Sequence, residues 1–181
     1  MNIEFLHTLI IEELRNLYDA DSQLAAMLPK MERASLSSEV EKAIHRRREL
    51  EQNQTGHLVE VLARLEVLPG GGQCHAMKGL LEEAKEVLHR ESGVYPARLE
   101  PRLLAVLRKA GHLRIATLKC VIPIAHLLEA DEIENTLANC LSEEIEADRF
   151  VSALADTELR LIVASSLDET TNALEALKQF S

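Results

Sequence analysis

Apolar residues recur at intervals of three or four positions along almost the entire chain, which is the spacing of one face of an α-helix. Leu, Ala and Glu dominate the composition, whereas aromatic residues make up only 3 % of it. These abundant residues favour helix, and no segment alternates in the way that marks a β-strand. The sequence therefore predicts an all-α protein.

The pattern predicts four long helices and one short helix, separated by residues that are common in turns. The long helices span about 3–31, 40–68, 102–128 and 131–155, and the short helix spans about 75–90. Pro69–Gly72 ends the second long helix, and Pro123 should kink the third or end it early. We therefore expect a four-helix bundle in which the short helix crosses over between the second and third long helices.

The end of the chain predicts a further helical tail. Asp168 is a candidate N-cap for a last short helix, which carries Leu174, Leu177 and Phe180. The chain has 181 residues, which suits one domain with a sizeable core. We therefore expect a single domain over residues 1–181, made of a core bundle at 3–155 and a tail at 157–181.

The charge balance bounds the partners of this protein. Its 30 acidic and 20 basic residues give a formal charge of −10, which phosphate backbones and anionic membranes repel. Met1–Leu14 lacks the early basic residues of a signal peptide, and the longest uncharged apolar run, Cys120–Leu128, is too short to cross a bilayer. We therefore expect a cytoplasmic protein that binds neither nucleic acid nor membrane.

The three cysteines, Cys74, Cys120 and Cys140, lack the spacing of a metal site. An odd number of cysteines in a chain without a leader suits reduced and mostly buried thiols. A redox-responsive thiol protein that uses Cys74 or Cys120 is one alternative function, and accessibility of these thiols to a labelling reagent tests it.

Polar residues stand where the middle of the core should be. Each long helix is apolar at both ends of its inner face, and the stripe passes through polar side chains at mid-height. In the first helix the stripe also comes close to Asp21. The predicted polar centre consists of Glu13, Arg47, Glu51, Gln54, Arg114, Glu144 and Asp148. Alternatively, each of these side chains lies at a corner of the bundle and reaches solvent.

Inward carboxylates at mid-height in four long helices are typical of carboxylate-bridged di-metal bundles of the ferritin-like type. Such centres use Glu-x-x-His, but here Glu51 is followed by Gln54, and Glu144 is followed by Ala147. Arg114 stands where a carboxylate ligand would be expected, and a guanidinium cannot bind a metal. The residues therefore predict an internal salt-bridge network, with no metal, no cofactor and no catalytic residue.

Several segments resemble the YciE/YciF stress-protein family of the ferritin-like superfamily. These segments are Leu14–Leu24 continuing to Leu28–Met31, Cys74–Glu83, the residues His112, Ile115 and Ala116, and Leu141–Asp148. The resemblance covers most of residues 5–155. It implies a cytosolic four-helix bundle with a short crossover helix, which is usually dimeric and linked to stress responses.

The resemblance also implies a metal-binding centre, and this chain departs from the family pattern at the positions that form it. Arg47 and Leu50 stand where the second helix usually has His and Glu. Gly111 and Arg114 stand where the third helix usually has two Glu. Asn16 and Asp21 replace an Asp and a Glu of the first helix, whereas Glu143, Glu144 and Asp148 of the fourth helix are kept.

Two functions from different classes follow from these patterns. The first is a metal-free, non-enzymatic ferritin-like protein that acts through protein contacts in a stress response, as a homodimer or with another protein partner. The alternative is a di-iron or di-manganese oxidoreductase, or a ferroxidase-like protein, that uses residual carboxylates. Those residual ligands would be Glu13, Glu51, Glu144 and Asp148. Metal analysis of the purified protein separates the two functions.

Overall fold

The computed structural model describes residues 3–94 and 99–179, with side chains described at 3–90 and 99–165. All regular structure within these residues is α-helical, as the sequence predicts. The five helices are α1 (Ile3–Ala34), α2 (Ser38–Arg64), α3 (His75–Val94), α4 (Leu99–Leu127) and α5 (Asp131–Gln179). Within the described residues, no helix is long and apolar enough to cross a membrane.

The four long helices pack as an antiparallel bundle around two apolar clusters. One cluster is formed by the start of α1, the end of α2, the end of α4 and the start of α5. The other is formed by the opposite ends of these helices together with α3. The direction of the chain therefore alternates between neighbouring long helices, and α2 and α4 run parallel. The crossover helix α3 makes this parallel arrangement feasible because it returns the chain along α1 and α4.

The second long helix ends before the predicted position. Helix α2 stops at Arg64, and Glu66 takes a left-handed conformation with φ of 60°. The amide of Val67 then donates to the carbonyl of Leu62 at 3.0 Å, which completes the hydrogen bonding of the helix end. Leu68, predicted on the apolar stripe, is therefore outside the helix and 82 % exposed.

The connection from α2 to α3 lies directly on the backbone of α1. A Cβ atom at Gly72 would lie 2.5 Å from the carbonyl carbon and oxygen of Arg15, so only glycine fits at this position. The next two amides bond to the same helix: Gln73 donates to Asn16 at 3.2 Å, and Cys74 donates to Asp19 at 2.7 Å. This connection thereby sets the start of α3 against the middle of α1.

The turn between α1 and α2 is organised by a buried glutamate from the start of α4. The carboxylate of Glu100 accepts hydrogen bonds from the amides of Leu36 and Ser37 and from the hydroxyl of Ser35. The hydroxyl of Ser37 bonds instead to Glu158 of α5 at 3.0 Å. The end of α1 and the starts of α2 and α4 therefore meet one another and α5 at this end of the bundle.

One predicted helix end agrees with the structure and another is wrong. Helix α4 continues through Pro123 to Leu127, close to the predicted end at 128, since the missing amide of one proline does not stop a helix that is packed on its neighbours. Helix α5 runs without interruption through Asp168 to Gln179, so Asp168 caps no separate helix. The side chains of Leu174 and Leu177, and the whole of Phe180, lie outside the described part of the structure.

The cysteines differ partly from the expectation of buried thiols. All three are free, and Cys140 is buried in the bundle. Cys74 is partly buried at the start of α3, whereas Cys120 is exposed on α4.

Candidate functional site: a buried ion-pair centre

Six polar side chains meet at mid-height between the two apolar clusters. Five of them are completely buried, and the sixth, Arg47, is 5 % exposed. The residues are Asp21 from α1, Arg47, Glu51 and Gln54 from α2, Arg114 from α4 and Glu144 from α5. We refer to these six residues as the ion-pair centre. Each helix of the four-helix bundle contributes at least one of them, so the bundle as a whole holds the charges in place.

The guanidinium of Arg114 lies at the middle of the ion-pair centre and contacts the other three helices. Its Nη1 donates to Oδ1 of Asp21 on α1 and to Oε1 of Glu51 on α2, the latter at 3.2 Å. Its Nε donates to Oε2 of Glu144 on α5 at 3.1 Å. Its Nη2 donates to the side-chain oxygen of Gln54. All three nitrogens of this guanidinium are therefore engaged within the protein.

A second guanidinium, that of Arg47, bridges two of the same carboxylates from the outer side. Its Nε and Nη2 both donate to Oε2 of Glu51, at 3.1 Å and 2.7 Å. Its Nη1 donates to Oε1 of Glu144. Arg47 and Glu51 are four residues apart on α2, which places them one above the other on one face of the helix. Both oxygens of Glu51 and both oxygens of Glu144 are consequently bound to arginine.

Gln54 connects the ion-pair centre to the backbone of α5. Its amide nitrogen donates to the carbonyl of Cys140 at 3.2 Å and to the carboxylate of Glu143 at 3.0 Å. Its amide oxygen accepts from Arg114, so this residue faces a cation where a histidine of Glu-x-x-His would face a metal. Glutamine suits this position because it offers an acceptor and a donor at once.

Gly111 on α4 makes room for the paired charges. A Cβ atom at this position would lie 2.9 Å from Oε1 of Glu144 and 3.9 Å from Nη1 of Arg47. The pair between Arg47 and Glu144 therefore lies directly against the bare backbone of α4. A larger side chain here would displace the carboxylate from the position in which two arginines hold it.

The charges of the ion-pair centre do not balance. Three carboxylates, those of Asp21, Glu51 and Glu144, face only the two guanidiniums of Arg47 and Arg114. Among the described residues, the second oxygen of Asp21 is the one buried side-chain atom without a hydrogen-bond partner. Burial raises the pKa of Glu51 to about 7; Arg47 lowers this pKa and Glu144 adds to the rise. The centre is therefore short of one positive charge.

The two guanidiniums respond differently to their surroundings. Burial alone would lower the pKa of Arg47, but the carboxylates of Glu51 and Glu144 outweigh burial and raise it. Burial lowers the pKa of Arg114, and the attraction of Glu144 opposes this effect. Arginine keeps its charge in proteins because its ordinary pKa is above 12, so both groups act as fixed cations.

Two of the predicted site residues lie outside the ion-pair centre. Glu13 is half-buried and lines a separate cavity of about 200 Å³, beside Leu17 and Cys74. Asp148 is bound by Arg108 at 3.1 Å and lies 3.4 Å from His112, at the edge of the bundle. The structure does not bring either side chain into the ion-pair centre: Glu13 lies beside the buried stripe of α1, and Asp148 lies one turn beyond Glu144 on α5, where it meets Arg108.

Asp21 belongs to the ion-pair centre, although the sequence pattern placed it only close to the apolar stripe of the first helix. Four buried leucines of α1, namely Leu14, Leu17, Leu24 and Leu28, define the core line of that helix. Asp21 lies four residues after Leu17 and three before Leu24, so it falls on this line, whereas Glu13 falls beside it. The helical spacing alone contained the signal for the correct residue.

The donor set of the ion-pair centre does not fit a metal ion. A di-metal centre needs carboxylate and imidazole ligands with free lone pairs around the metal positions. Here the space among the carboxylates is filled by Arg114, which cannot act as a ligand and repels cations. Within the described ranges, no group of three or more His, Cys, Asp or Glu residues is arranged to hold a metal ion.

Relatives of known structure share this bundle. Protein YciF of Escherichia coli (strain K12) is 29 % identical over 156 residues, which cover 86 % of this chain and 93 % of YciF. The crystal structure of YciF, described as a stress protein, matches with a TM-score of 0.79 at 27 % identity, over 88 % of this chain and 98 % of YciF. The fold predicted from the sequence is therefore confirmed.

Two further structures match over most of their length. YcfI from Rhodopseudomonas palustris matches with a TM-score of 0.75 at 27 % identity, over 84 % of this chain and 94 % of YcfI. A protein from Xanthomonas campestris pv. campestris shares the fold at 15 % identity, with a TM-score of 0.66 over 92 % of this chain and 99 % of that one. The family model described as a domain of unknown function, DUF892, matches residues 6–164. The chain therefore belongs to the YciF-like DUF892 family.

Proposed function

We propose that this protein is a metal-free YciF-like bundle that acts through protein contacts in the cytoplasm and is not an enzyme. The observation that supports this function is the position of Arg114. Its guanidinium contacts Asp21, Glu51 and Glu144, one carboxylate from each of the other three long helices. A fixed cation therefore holds the point at which these helices would otherwise share a metal ion.

The energetics favour this interpretation. Converging carboxylates in a dry interior repel one another, and each would take up a proton unless a cation compensates it. Arg114 provides that cation permanently, with no dependence on metal supply. A metal ion could enter only if this guanidinium left, which would strand a buried charge at a cost of several kcal/mol.

A role through protein contacts is supported by the far end of α5. Helix α5 has 49 residues and is about 74 Å long, whereas α4 has 29 residues and is about 44 Å long. Beyond the contact of Glu158 with the turn between α1 and α2, apolar side chains face solvent on both sides of the helix. Leu159, Leu161 and Val163 are 53 %, 58 % and 60 % exposed. Because a long solvated helix is marginally stable alone, we propose that a second copy covers this segment.

The relatives support a non-catalytic function in stress. YciF is described as a stress protein, and YcfI is described with a proposed structural role. We extend both descriptions to this chain as part of the proposal.

Metal analysis of protein from cells grown with added iron and manganese tests the proposal. We expect well below one metal ion per chain, and no absorption band of an oxo-bridged pair of irons. Stoichiometric metal that is lost in the Asp21→Asn variant would show a metal site at the centre and would favour the di-metal oxidoreductase. Stoichiometric metal that survives in this variant would place the ion elsewhere and would still contradict a metal-free protein.

A further inference from the structure

The ion-pair centre holds three carboxylates, two guanidiniums and one buried carboxylate oxygen that accepts no hydrogen bond. We propose that it also binds one proton per chain, taken from solvent, so that its three carboxyl groups carry two negative charges while the proton is bound. The proposal rests on the metal-free centre proposed above. It assigns to the middle of the bundle a proton-binding site, with Asp21 and Glu51 as the groups that share the proton.

The need for a proton follows from burial. A charged carboxylate that is removed from water without a partner takes up a proton rather than remain ionised, because desolvation strongly disfavours the charged form. None of the three carboxyl groups has any solvent exposure, so water cannot compensate the third negative charge. The third negative charge must therefore be neutralised within the ion-pair centre.

The neighbouring groups do not supply the missing positive charge. The groups that face the three carboxyls are Arg47 and Gln54 of α2, Arg114 of α4, and Cys140 and Glu143 of α5. Burial raises the pKa of Cys140 to about 11, so its thiol is neutral. Gln54 is neutral, and Glu143 adds negative charge at the edge of the centre. Each nearby cation of the described chain is thus already counted.

Two further basic side chains of α4, those of Arg108 and His112, bind a carboxylate outside the ion-pair centre. Arg108 and His112 of α4 both lie against Asp148, at 3.1 Å and 3.4 Å, at the edge of the bundle. These contacts are outside the ion-pair centre, and they hold their own carboxylate. Neither Arg108 nor His112 therefore neutralises a carboxylate of the ion-pair centre.

Two carboxyl groups of the centre, those of Asp21 and Glu51, are placed to accept the proton. The second oxygen of Asp21 is buried and has no donor, although its first oxygen is bound by Arg114. Glu51 shares the same guanidinium nitrogen of Arg114, at 3.2 Å. Burial raises the pKa of Glu51 to about 7, so a proton in the centre is released close to neutral pH.

A bound proton makes the fold sensitive to pH. The ordinary pKa of a glutamate in an unfolded chain is about 4.3, so between this value and about 7 the folded chain holds a proton that the unfolded chain lacks. The folded state is therefore favoured at the lower end of this range and loses that advantage as the pH rises through 7.

Infrared spectroscopy of the full-length protein tests the proposal directly. We expect the wild type at about pH 6 to show the carbonyl band of a buried carboxylic acid, and the band to disappear at about pH 9. Glu51→Gln and Asp21→Asn each remove one negative charge and balance the centre without a proton. Either variant should therefore lack the band, whichever oxygen carries the proton in the wild type. The control Glu132→Gln, on the exposed surface of α5, should keep it.

Unfolding experiments provide a second readout that does not depend on the infrared assignment. We expect the urea midpoint of the wild type to fall from about pH 6 to about pH 9, and the fall to be smaller in Glu51→Gln and unchanged in Glu132→Gln. If Glu51→Gln does not fold, Asp21→Asn replaces it in both experiments. Absence of the band in the wild type at about pH 6 would overturn the proposal.

The metal content distinguishes failure of this proposal from failure of the proposed function. No band and no metal would refute the proton while leaving the metal-free bundle intact. No band together with stoichiometric metal would refute both, because a bound cation would then balance the third carboxylate. A urea midpoint that depends on sodium or potassium in the wild type, but not in Glu51→Gln, would show that a monovalent cation balances the third carboxylate. That result would also overturn the proposal.

Discussion

Nε of Arg114 donates to Oε2 of Glu144 across 3.1 Å between α4 and α5, and Oε1 of the same glutamate is bound by Arg47 from α2. One buried carboxylate thereby connects three helices through two arginines. Such a network is stable only when each member is paired, because a stranded charge in a dry interior is costly.

Replacing Arg114 with Met keeps most of the side-chain volume but removes the cation. We expect a loss of about 3–5 kcal/mol in the free energy of unfolding, since three carboxylates lose a common partner. Adding Glu144→Gln should restore part of it, which gives a favourable coupling in the double-mutant cycle. The control Arg64→Met breaks an exposed pair with Glu132 and should cost about 0–1 kcal/mol. Urea unfolding measures Arg114→Met, Glu144→Gln, their combination and Arg64→Met, and equal losses in Arg114→Met and Arg64→Met would contradict a buried network.

Stability of the Arg114→Met variant should return in part at lower pH. Without the guanidinium, the carboxylates of the ion-pair centre have pKa values above those of the unfolded chain, so the folded state binds more protons. Lowering the pH towards the unfolded values therefore favours the folded variant relative to the wild type. The difference in urea midpoint between the two proteins should narrow between about pH 8 and about pH 5. A constant difference over this range would mean that no carboxylate is stranded.

Gly111→Ala and Gly56→Ala separate helix propensity from the space that the charges need. Both glycines lie inside long helices, where alanine is favoured by about 1 kcal/mol. A Cβ atom at Gly56 meets nothing within 4 Å, whereas one at Gly111 would lie 2.9 Å from Glu144. We therefore expect Gly56→Ala to raise the thermal midpoint and Gly111→Ala to lower it or leave it unchanged. Equal stabilisation by both would show that the pair of Arg47 and Glu144 can shift freely.

Truncation after Ala155 tests the proposed role of α5 in assembly. We expect a full-length dimer, and a monomer or a weaker dimer without the final segment, because the exposed apolar side chains are removed. The double variant Leu159→Gln with Val163→Gln should weaken the dimer in the full-length chain. The control Arg160→Gln lies between them on the same segment and should leave the mass unchanged. Light scattering at micromolar concentration measures each mass, and a monomeric wild type would exclude a second copy as the cover.

The periodicity of apolar residues was sufficient to predict that the chain is helical and that polar side chains meet at mid-height in the bundle. Arg47, Glu51, Gln54, Arg114 and Glu144 interrupt otherwise apolar stripes, and the structure brings these five side chains together. Local spacing carries this information because residues three or four apart on a helix share a face. The leucines of α1 also distinguish Asp21 from Glu13. This distinction requires the buried face of the helix to be located to within a fraction of a helical turn.

Only the tertiary structure decided where helices end and which charges meet. Helix α5 passes Asp168 although this residue suits an N-cap, and α2 stops at Arg64, two residues before Glu66 takes a left-handed conformation. Asp148 follows Glu144 by one turn, yet it faces Arg108 at the edge rather than Arg114 at the middle. Because α4 and α5 run antiparallel, Arg108, which precedes Arg114 on α4, lies level with a residue that follows Glu144 on α5. The sequence by itself determined an all-helical bundle with charges at its centre. The partner of each charge, and the excess of one carboxylate, depend on contacts between helices that lie far apart in the chain.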